Sequence, residues 1–202
     1  ASARETASRV VAGAVAQQLL AEKNIQISAQ LIQVGTETNP DNFAQYIADI
    51  QQQGDSIGGI VECTITGLPV GLGEPIFDKL QSHLAYAMMS INACKGFEYG
   101  SGFSNVALKG SEIYLSENQT FISGGIAGGI SDGTPVVFRC VFKPTASNRK
   151  TFEVLCLDDN NSKFLIQNSN LPLGRHDACI AVRAVAVVEA MAALVLQDLL
   201  SK

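Results

Sequence analysis

The chain has little of what metal, nucleic-acid and membrane sites require. It contains two histidines and five cysteines in 202 residues, with no Cys-x-x-Cys pair of the kind found in zinc or dithiol sites. Its net charge is −5, and no Lys/Arg cluster is present to bind nucleic acid. No apolar run reaches the roughly 18 residues of a membrane span, and no signal-peptide pattern occurs. We therefore predict a cytoplasmic protein with buried thiols, no metal, and no nucleic-acid or membrane partner.

Several common catalytic motifs are also missing. The dinucleotide pattern G-x-G-x-x-G and the phosphate loop G-x-x-x-x-G-K-[ST] do not occur, which excludes Rossmann and P-loop proteins. No obvious nucleophile triad is present either, so we set serine-hydrolase chemistry aside. His83 has no second histidine four residues away, and we predict a structural or surface role for it.

An apolar content of 47% can supply the core of one domain, for which we predict residues 1–202. Helices and strands mix without a regular β-α-β alternation, which favours the α+β class. Periodicity and turn residues predict helices at 3–22, 40–52, 77–90 and 180–200, and strands at 25–35, 57–65, 135–143 and 151–157. The glycine-rich stretch 92–133 shows no clear period, and we expect ligand-facing loops there.

The first helix carries two specific predictions. Ser2 and Glu5 match a capping box, in which Glu5 reaches back to the cap amide. Val11, Val15 and Leu19, together with Ala7 and Ala14, fall near helical spacing, so we expect this stripe to pack inward.

Arg4 stands in the first turn of that helix, against the positive end of its dipole. Two interpretations are open. An arginine beside helix N-terminal amides suits a phosphate or carboxylate, but a solvated surface arginine would look the same in the sequence.

Three later segments could also hold a ligand. The paired diglycines of Gly124–Ile130 let a backbone approach a bulky ligand, although a plain turn would also explain them. Lys143-Pro144-Thr145-Ala146-Ser147 sets an ammonium and two hydroxyls at a strand end, although a strand-end loop that is merely polar would look the same. Gly174-Arg175-His176-Asp177 combines an anion binder, a titratable ring and a carboxylate, and its alternative is a turn with Asp177 as helix cap.

In order along the chain, these segments resemble the chorismate synthase family. The blocks that carry the resemblance are Ser2-Ala3-Arg4-Glu5-Thr6, Gly54-Asp55-Ser56-Ile57-Gly58-Gly59, Gly67-Leu68-Pro69-Val70-Gly71-Leu72-Gly73-Glu74-Pro75, Ser90-Ile91-Asn92-Ala93-Cys94-Lys95-Gly96-Phe97-Glu98, Gly124–Ile130, Lys143-Pro144-Thr145, and Gly174-Arg175-His176-Asp177. They correspond to the C-terminal, larger part of the family pattern.

The resemblance implies an FMN-dependent lyase with a β-α-β sandwich fold, assembled as a homotetramer. Its reaction is the last step of the shikimate pathway, the 1,4-elimination of phosphate from 5-enolpyruvylshikimate 3-phosphate to give chorismate, with reduced FMN required. In such enzymes the cofactor carries the difficult chemistry and the protein orients it.

The resemblance also assigns roles to residues. Asp177 is implied to be catalytic, Arg4 and Arg175 to bind substrate, and His176 to orient its neighbours. Cofactor contacts are implied at Ala1, Ser2, Asn92, Ala93, Gly128, Lys143, Pro144, Thr145, Ala146, Ser147 and Arg175.

The chain departs from the family pattern in two ways. Ala146 stands where a serine is common, so a hydroxyl contact to the flavin is lost. The N-terminal part of the pattern, with its second active-site histidine and further substrate-binding arginines, has no counterpart here. We therefore expect the isolated chain to be inactive, and the alternative function is a truncated flavin-binding or structural fragment.

Overall fold

The computed structural model describes residues 3–113, 122–146, 153–157, 163–167 and 177–201, with only the backbone for residue 3 and for the ranges 153–157 and 163–167. The helices are α1 (Thr6–Glu22), α2 (Pro40–Gln52), α3 (Leu80–Met89) and α4 (Ala181–Leu199), with 3₁₀ turns at Ala3–Glu5 and Gly102–Ala107. The strands are β1 (Gln26–Val34), β2 (Gly59–Thr66), β3 (Cys94–Tyr99), β4 (Ile126–Ala127), β5 (Ile130–Ser131), β6 (Val136–Phe142), β7 (Glu153–Leu157) and β8 (Lys163–Gln167).

An antiparallel sheet in the order β1-β2-β6-β3 forms one layer of the fold. In β2 and β6 buried residues alternate with half-buried or exposed ones, because successive side chains of a strand point to opposite faces. The inner face carries Val61, Ile65 and Phe138, which are fully buried. β4 with β5 and β7 with β8 form separate two-stranded sheets.

The helix α4 packs against the inner face and against α1. Its buried residues are Ala181, Ala184, Val187, Val188, Ala190, Ala192, Ala193 and Leu196. The Glu189 carboxylate on the same helix accepts a hydrogen bond of 2.7 Å from the Ala29 amide of β1. In the described residues no helix is long and apolar enough to cross a membrane.

The prediction that the apolar stripe of α1 packs inward is wrong, because the stripe lies on the exposed face of the helix. Val11, Val15 and Leu19 are 68%, 56% and 42% exposed, whereas Ala16 and Leu20 are buried. The reason is Gly13, whose missing side chain lets α1 approach α4 so closely that a Cβ there would lie 2.4 Å from the Ala190 Cα. Close packing of small residues, not the larger apolar stripe, therefore fixes the inward face.

A charged cluster crosses the outer face of the sheet. Glu62, Arg139 and Glu98 occupy paired positions on β2, β6 and β3. The Arg139 guanidinium lies 3.7 Å from a Glu62 carboxylate oxygen and 3.2 Å from one of Glu98, and it donates to the Gly100 carbonyl. Arg139 on β6 thus forms ion pairs with residues of both neighbouring strands, β2 and β3.

Most of the predicted elements are present. The α+β class is confirmed, and α2 begins where expected, with the Asn39 side chain accepting from the Asp41 amide. The helix predicted from 77 begins only at Leu80, and the structure adds β3 within the stretch predicted to be loops. β8 was not predicted either.

Candidate active site

Three loops meet beside the N-termini of α1 and α4. The Thr145 hydroxyl, after β6, donates to the Asp177 carbonyl over 2.9 Å, and the Thr145 carbonyl accepts from the Ser56 hydroxyl over 2.7 Å. The Ile57 amide, before β2, donates to the Ala178 carbonyl over 2.7 Å. Backbone and side-chain hydrogen bonds therefore hold the segment that carries Asp177 against the ends of two central strands.

Asp177 does not cap the following helix. The N-cap of α4 is Ile180, and the Asp177 carboxylate lies 2.8 Å from the Arg183 guanidinium instead. The side chain of Asp177 is 31% exposed. The capping-turn interpretation of this segment is therefore wrong, and the carboxylate remains accessible.

A pocket of about 230 Å³ opens next to this carboxylate. Its lining residues are Arg4, Thr6, Ile91, Asn92, Asp177, Ile180, Arg183, Ala184 and Val187. Three residues from distant parts of the sequence, Arg4, Asn92 and Asp177, are thus brought to one place. With two arginines and one carboxylate, the lining favours an anionic ligand.

Hydrogen bonds connect the start of α1 to the loop after α3. The Glu5 carboxylate lies 2.8 Å from Arg9 Nε and accepts from the Asn92 side-chain amide over 3.1 Å, while Arg9 donates to the Ser90 hydroxyl over 2.8 Å. The predicted capping box depends on Ser2, which lies outside the described residues. In the structure Glu5 is itself the N-cap of α1, makes no side-chain cap bond, and contacts Arg9 and Asn92 through its carboxylate. This arrangement fixes Asn92 at the pocket wall.

The backbone next to Asn92 has an unusual conformation. Ala93 has a φ of 68°, which a residue with a Cβ seldom adopts, and its carbonyl accepts from the Lys143 amide over 3.0 Å. Such conformations persist only where the surroundings impose them, and they are concentrated at functional sites. Two of the segments that were expected to bind one ligand are therefore directly joined.

Comparison with known proteins identifies the family. The family model described as chorismate synthase matches residues 1–200. The chain belongs to the chorismate synthase family.

The relatives agree with this family. A chorismate synthase of Flavobacterium psychrophilum is 46% identical and one of Cytophaga hutchinsonii is 44% identical, each over 98% of this chain. A crystal structure of a chorismate synthase matches with a TM-score of 0.77 at 27% identity, over 98% of this chain and 64% of that one. This likeness confirms the fold class, α+β of the chorismate synthase type. The chain spans 61% and 62% of the length of the two curated relatives.

Other residues implied by the chorismate synthase pattern lie elsewhere or outside the described ranges. Gly128 is in the turn between β4 and β5, not on the pocket lining, and a Cβ there would have open space around it. Lys143, Pro144 and Ala146 flank Thr145, the residue that contacts the Asp177 segment. Ala1, Ser2, Ser147 and Arg175 lie outside the described residues.

Arg183 is a pocket residue that sequence reasoning missed. The sequence nevertheless contained a usable signal. Arg183 is the third residue of α4, so it opposes the helix dipole as Arg4 does at the start of α1. Applying the same argument to both helices would have found it.

Proposed function

We propose that this chain contributes to a chorismate synthase active site, a carbon–oxygen lyase site that converts 5-enolpyruvylshikimate 3-phosphate to chorismate in the shikimate pathway. The observation that carries the proposal is the pocket. Arg4, Asn92 and Asp177 come from separate blocks of the family pattern, and all three line it. The family match over residues 1–200 supports the interpretation of this pocket as part of a chorismate synthase site.

The substrate is an anion, with two carboxylates and a phosphate. Arg4 binds one of these groups, because a guanidinium donates two parallel hydrogen bonds to a carboxylate or phosphate. Arg175 is proposed as a second substrate ligand and a cofactor contact. A pocket of about 230 Å³ is below the roughly 300–1,000 Å³ of most complete ligand sites, so these residues enclose part of the bound molecules.

The cofactor is proposed to be FMN in its reduced form. The residues present fit it, since the Ala93 carbonyl accepts a hydrogen bond from the Lys143 amide, and the Thr145 hydroxyl donates to the Asp177 carbonyl. The residues that would hold it are Ala1, Ser2, Asn92, Ala93, Gly128, Lys143, Pro144, Thr145, Ala146, Ser147 and Arg175. Reduced flavin, when bound, supplies the electron density that assists the departure of phosphate.

Asp177 is proposed as the catalytic carboxylate that handles the proton leaving the substrate ring. A general base must lie within hydrogen-bond reach of the proton it removes, and the Asp177 side chain lines the pocket in which Arg4 would hold the substrate. Thr145 fixes the Asp177 backbone. The chain's own contribution is therefore to bind the anion, to fix the carboxylate and to hold the proton.

The wider organisation of the protein is part of the same proposal. We place residues 1–202 in one domain that forms part of the family fold, with assembly as a homotetramer and a site of action in the cytoplasm. What supports it is the family match, which extends over nearly the whole chain.

The direct test is an anaerobic assay of chorismate formation with reduced FMN, performed on the chain as its gene encodes it. Chorismate release supports the proposal. Binding of FMN without any turnover would instead support a flavin-binding protein that has no lyase activity.

Replacing the proposed catalytic carboxylate gives a sharper result. Asp177→Asn keeps the shape of the side chain but cannot accept the proton, so kcat should fall by about 10²–10⁴-fold while FMN still binds. Asp49→Asn, an exposed carboxylate on α2, is the matched control and should leave kcat unchanged. Turnover of Asp177→Asn near the parent rate would remove Asp177 from the mechanism.

A further inference from the structure

Arg183 and Asp177 form an ion pair at the mouth of the pocket. The Arg183 Nη2 atom lies 2.8 Å from Asp177 Oδ1, and both residues line the pocket with Arg4. The Arg183 side chain is 65% exposed. The pair thus stands at the boundary between the pocket and solvent.

Stability does not account for this arginine. A solvent-exposed ion pair contributes little to the stability of a fold. A cation in the first turn of a helix is unfavourable by a comparable amount, and Arg183 is the third residue of α4. Because the two effects are of similar size and opposite sign, the pair leaves little net stabilisation. A local conflict of this kind is typical of a functional position.

Asp177 is held at two separate points. The Thr145 hydroxyl binds its backbone carbonyl, and Arg183 binds its carboxylate. The first contact fixes where the residue sits, but it leaves rotation of the side chain free. The second contact fixes the direction of the carboxylate, since a planar guanidinium restrains both the distance and the orientation of the oxygen it binds.

We propose that Arg183 is a positioning residue that keeps the Asp177 carboxylate in the orientation needed for proton transfer, while Arg4 binds the anionic groups of the substrate. The inference rests on the catalytic role proposed for Asp177. A displacement of about 1 Å in a reacting group can cost roughly 100-fold in rate, so one restraining contact is sufficient to matter.

The test compares Arg183→Met, Arg183→Lys, Asp177→Asn and the double variant Asp177→Asn/Arg183→Met under the anaerobic assay. Lys23→Met serves as the control for loss of one exposed cation, because Lys23 follows the C-terminal end of α1, away from Arg4 at its start. Thermal unfolding of each variant verifies that it is folded. If Arg183→Met does not fold, the same cycle is run with Arg183→Lys.

A positioning role predicts that Arg183→Met lowers kcat by roughly 10- to 100-fold, with KM within about twofold of the parent. Arg183→Lys should recover part of the loss, since its ammonium donates to the same oxygen without the planar restraint. In the Asp177→Asn background, Arg183→Met should have no further effect, because it acts through the carboxylate. Lys23→Met should match the parent.

Several results would overturn the inference. An unchanged kcat in Arg183→Met, a rise in KM alone, or rate losses that multiply in the double variant would each exclude a positioning role. A crystal structure of Arg183→Met supplies a readout independent of turnover: loss of the single Asp177 side-chain orientation supports the inference, and its retention contradicts it. If the parent protein binds FMN without releasing chorismate, the proposed function fails. In that case the crystal structure of Arg183→Met alone decides whether Arg183 restrains the Asp177 side chain.

Discussion

At the scale of single residues, two cations share an unfavourable position. Arg4 precedes α1 and Arg183 stands in the first turn of α4, so both face the positive end of a helix dipole. Both line the pocket with Asp177. Because neither helix is stabilised by its cation, we infer that the placement of both residues serves ligand binding in the pocket.

The first of these cations gives a direct prediction. Arg4→Ala should weaken substrate binding by about tenfold or more, since a hydrogen bond to a charged group contributes about 1.5–3 kcal/mol. Helix stability should change little, because the substitution also removes the conflict with the dipole. The measurements are KM, or substrate affinity by titration, and the midpoint of thermal unfolding.

Lys95→Ala, which removes an exposed cation from β3, is a suitable control for the loss of charge. An Arg4→Ala protein with the parent's substrate affinity would show that Arg4 is a surface arginine.

The sequence was informative about site residues only where it contained a local pattern. Arg4, Asn92 and Asp177 each lie in a short block whose residue types match a family, and the pocket joins them. The contact between Asp177 and Arg183, in contrast, depends on the backbone conformation of the segment that connects Asp177 to the start of α4. The spacing of the two residues fits no helical pair, so no local pattern could indicate it.

At the scale of elements, α1 shows what periodicity can and cannot predict. Its existence and its C-terminal end at Glu22 agree with the prediction, but its inward face does not. The larger apolar residues lie outward because the contact with α4 is made at Gly13 and Ala190. The spacing of apolar residues predicts that a helix is present. Which face of α1 packs against α4 depends instead on the position of its small residues.

This contact predicts the sign of a stability change. Gly13→Ala should destabilise the fold by about 2 kcal/mol, or roughly 4–8 °C in Tm, because the new methyl group would overlap Ala190. Helix propensity alone predicts the opposite, a gain of about 1 kcal/mol.

Ala14→Gly, at the next and exposed position, measures the propensity difference in the same helix and is the matched control. If Gly13→Ala stabilises the protein by as much as Ala14→Gly destabilises it, the close approach of α1 and α4 is not the controlling feature.

The strand β3 was missed for a related reason. Its partner is β6, and the pairing shifts register between Cys94 and Gly96. A register shift interrupts the alternation that identifies a strand in sequence, and glycine adds no side chain to the pattern. The pairing with β6, which lies far away in sequence, determines this element.

At the scale of the whole molecule, buried thiols couple stability to pH. Cys63, Cys94, Cys140 and Cys179 are buried and free, as expected for these four of the five cysteines. Burial raises the pKa of the Cys63 thiol, with a further contribution from Glu189 and Glu62, and burial also raises the pKa of Cys179. The folded protein therefore retains these protons at a pH where the unfolded chain releases them.

The consequence is a loss of stability in alkali. Below about pH 8.5 Cys63 keeps its proton in both states, and above it only the unfolded chain ionises, so the free energy of unfolding should fall by up to about 1.4 kcal/mol per pH unit for this thiol. Urea unfolding between about pH 8.5 and 10 measures how the free energy of unfolding depends on pH. Cys63→Ala should make this dependence less steep, by up to about 1.4 kcal/mol per pH unit, the contribution of one proton. An identical slope in both proteins would show that Cys63 does not titrate on unfolding.

The Arg139 cluster on the outer face of the sheet bears on how the strands find their partners during folding. If β6 slipped by one residue against β2, its side chains would exchange faces, so that Arg139 would enter the apolar core and Phe138 would meet water. Burial of an unpaired cation costs several kcal/mol, and the slipped pairing would also separate Arg139 from Glu62 and Glu98. Arg139 thus disfavours a slipped pairing of β6 with β2 relative to the observed register.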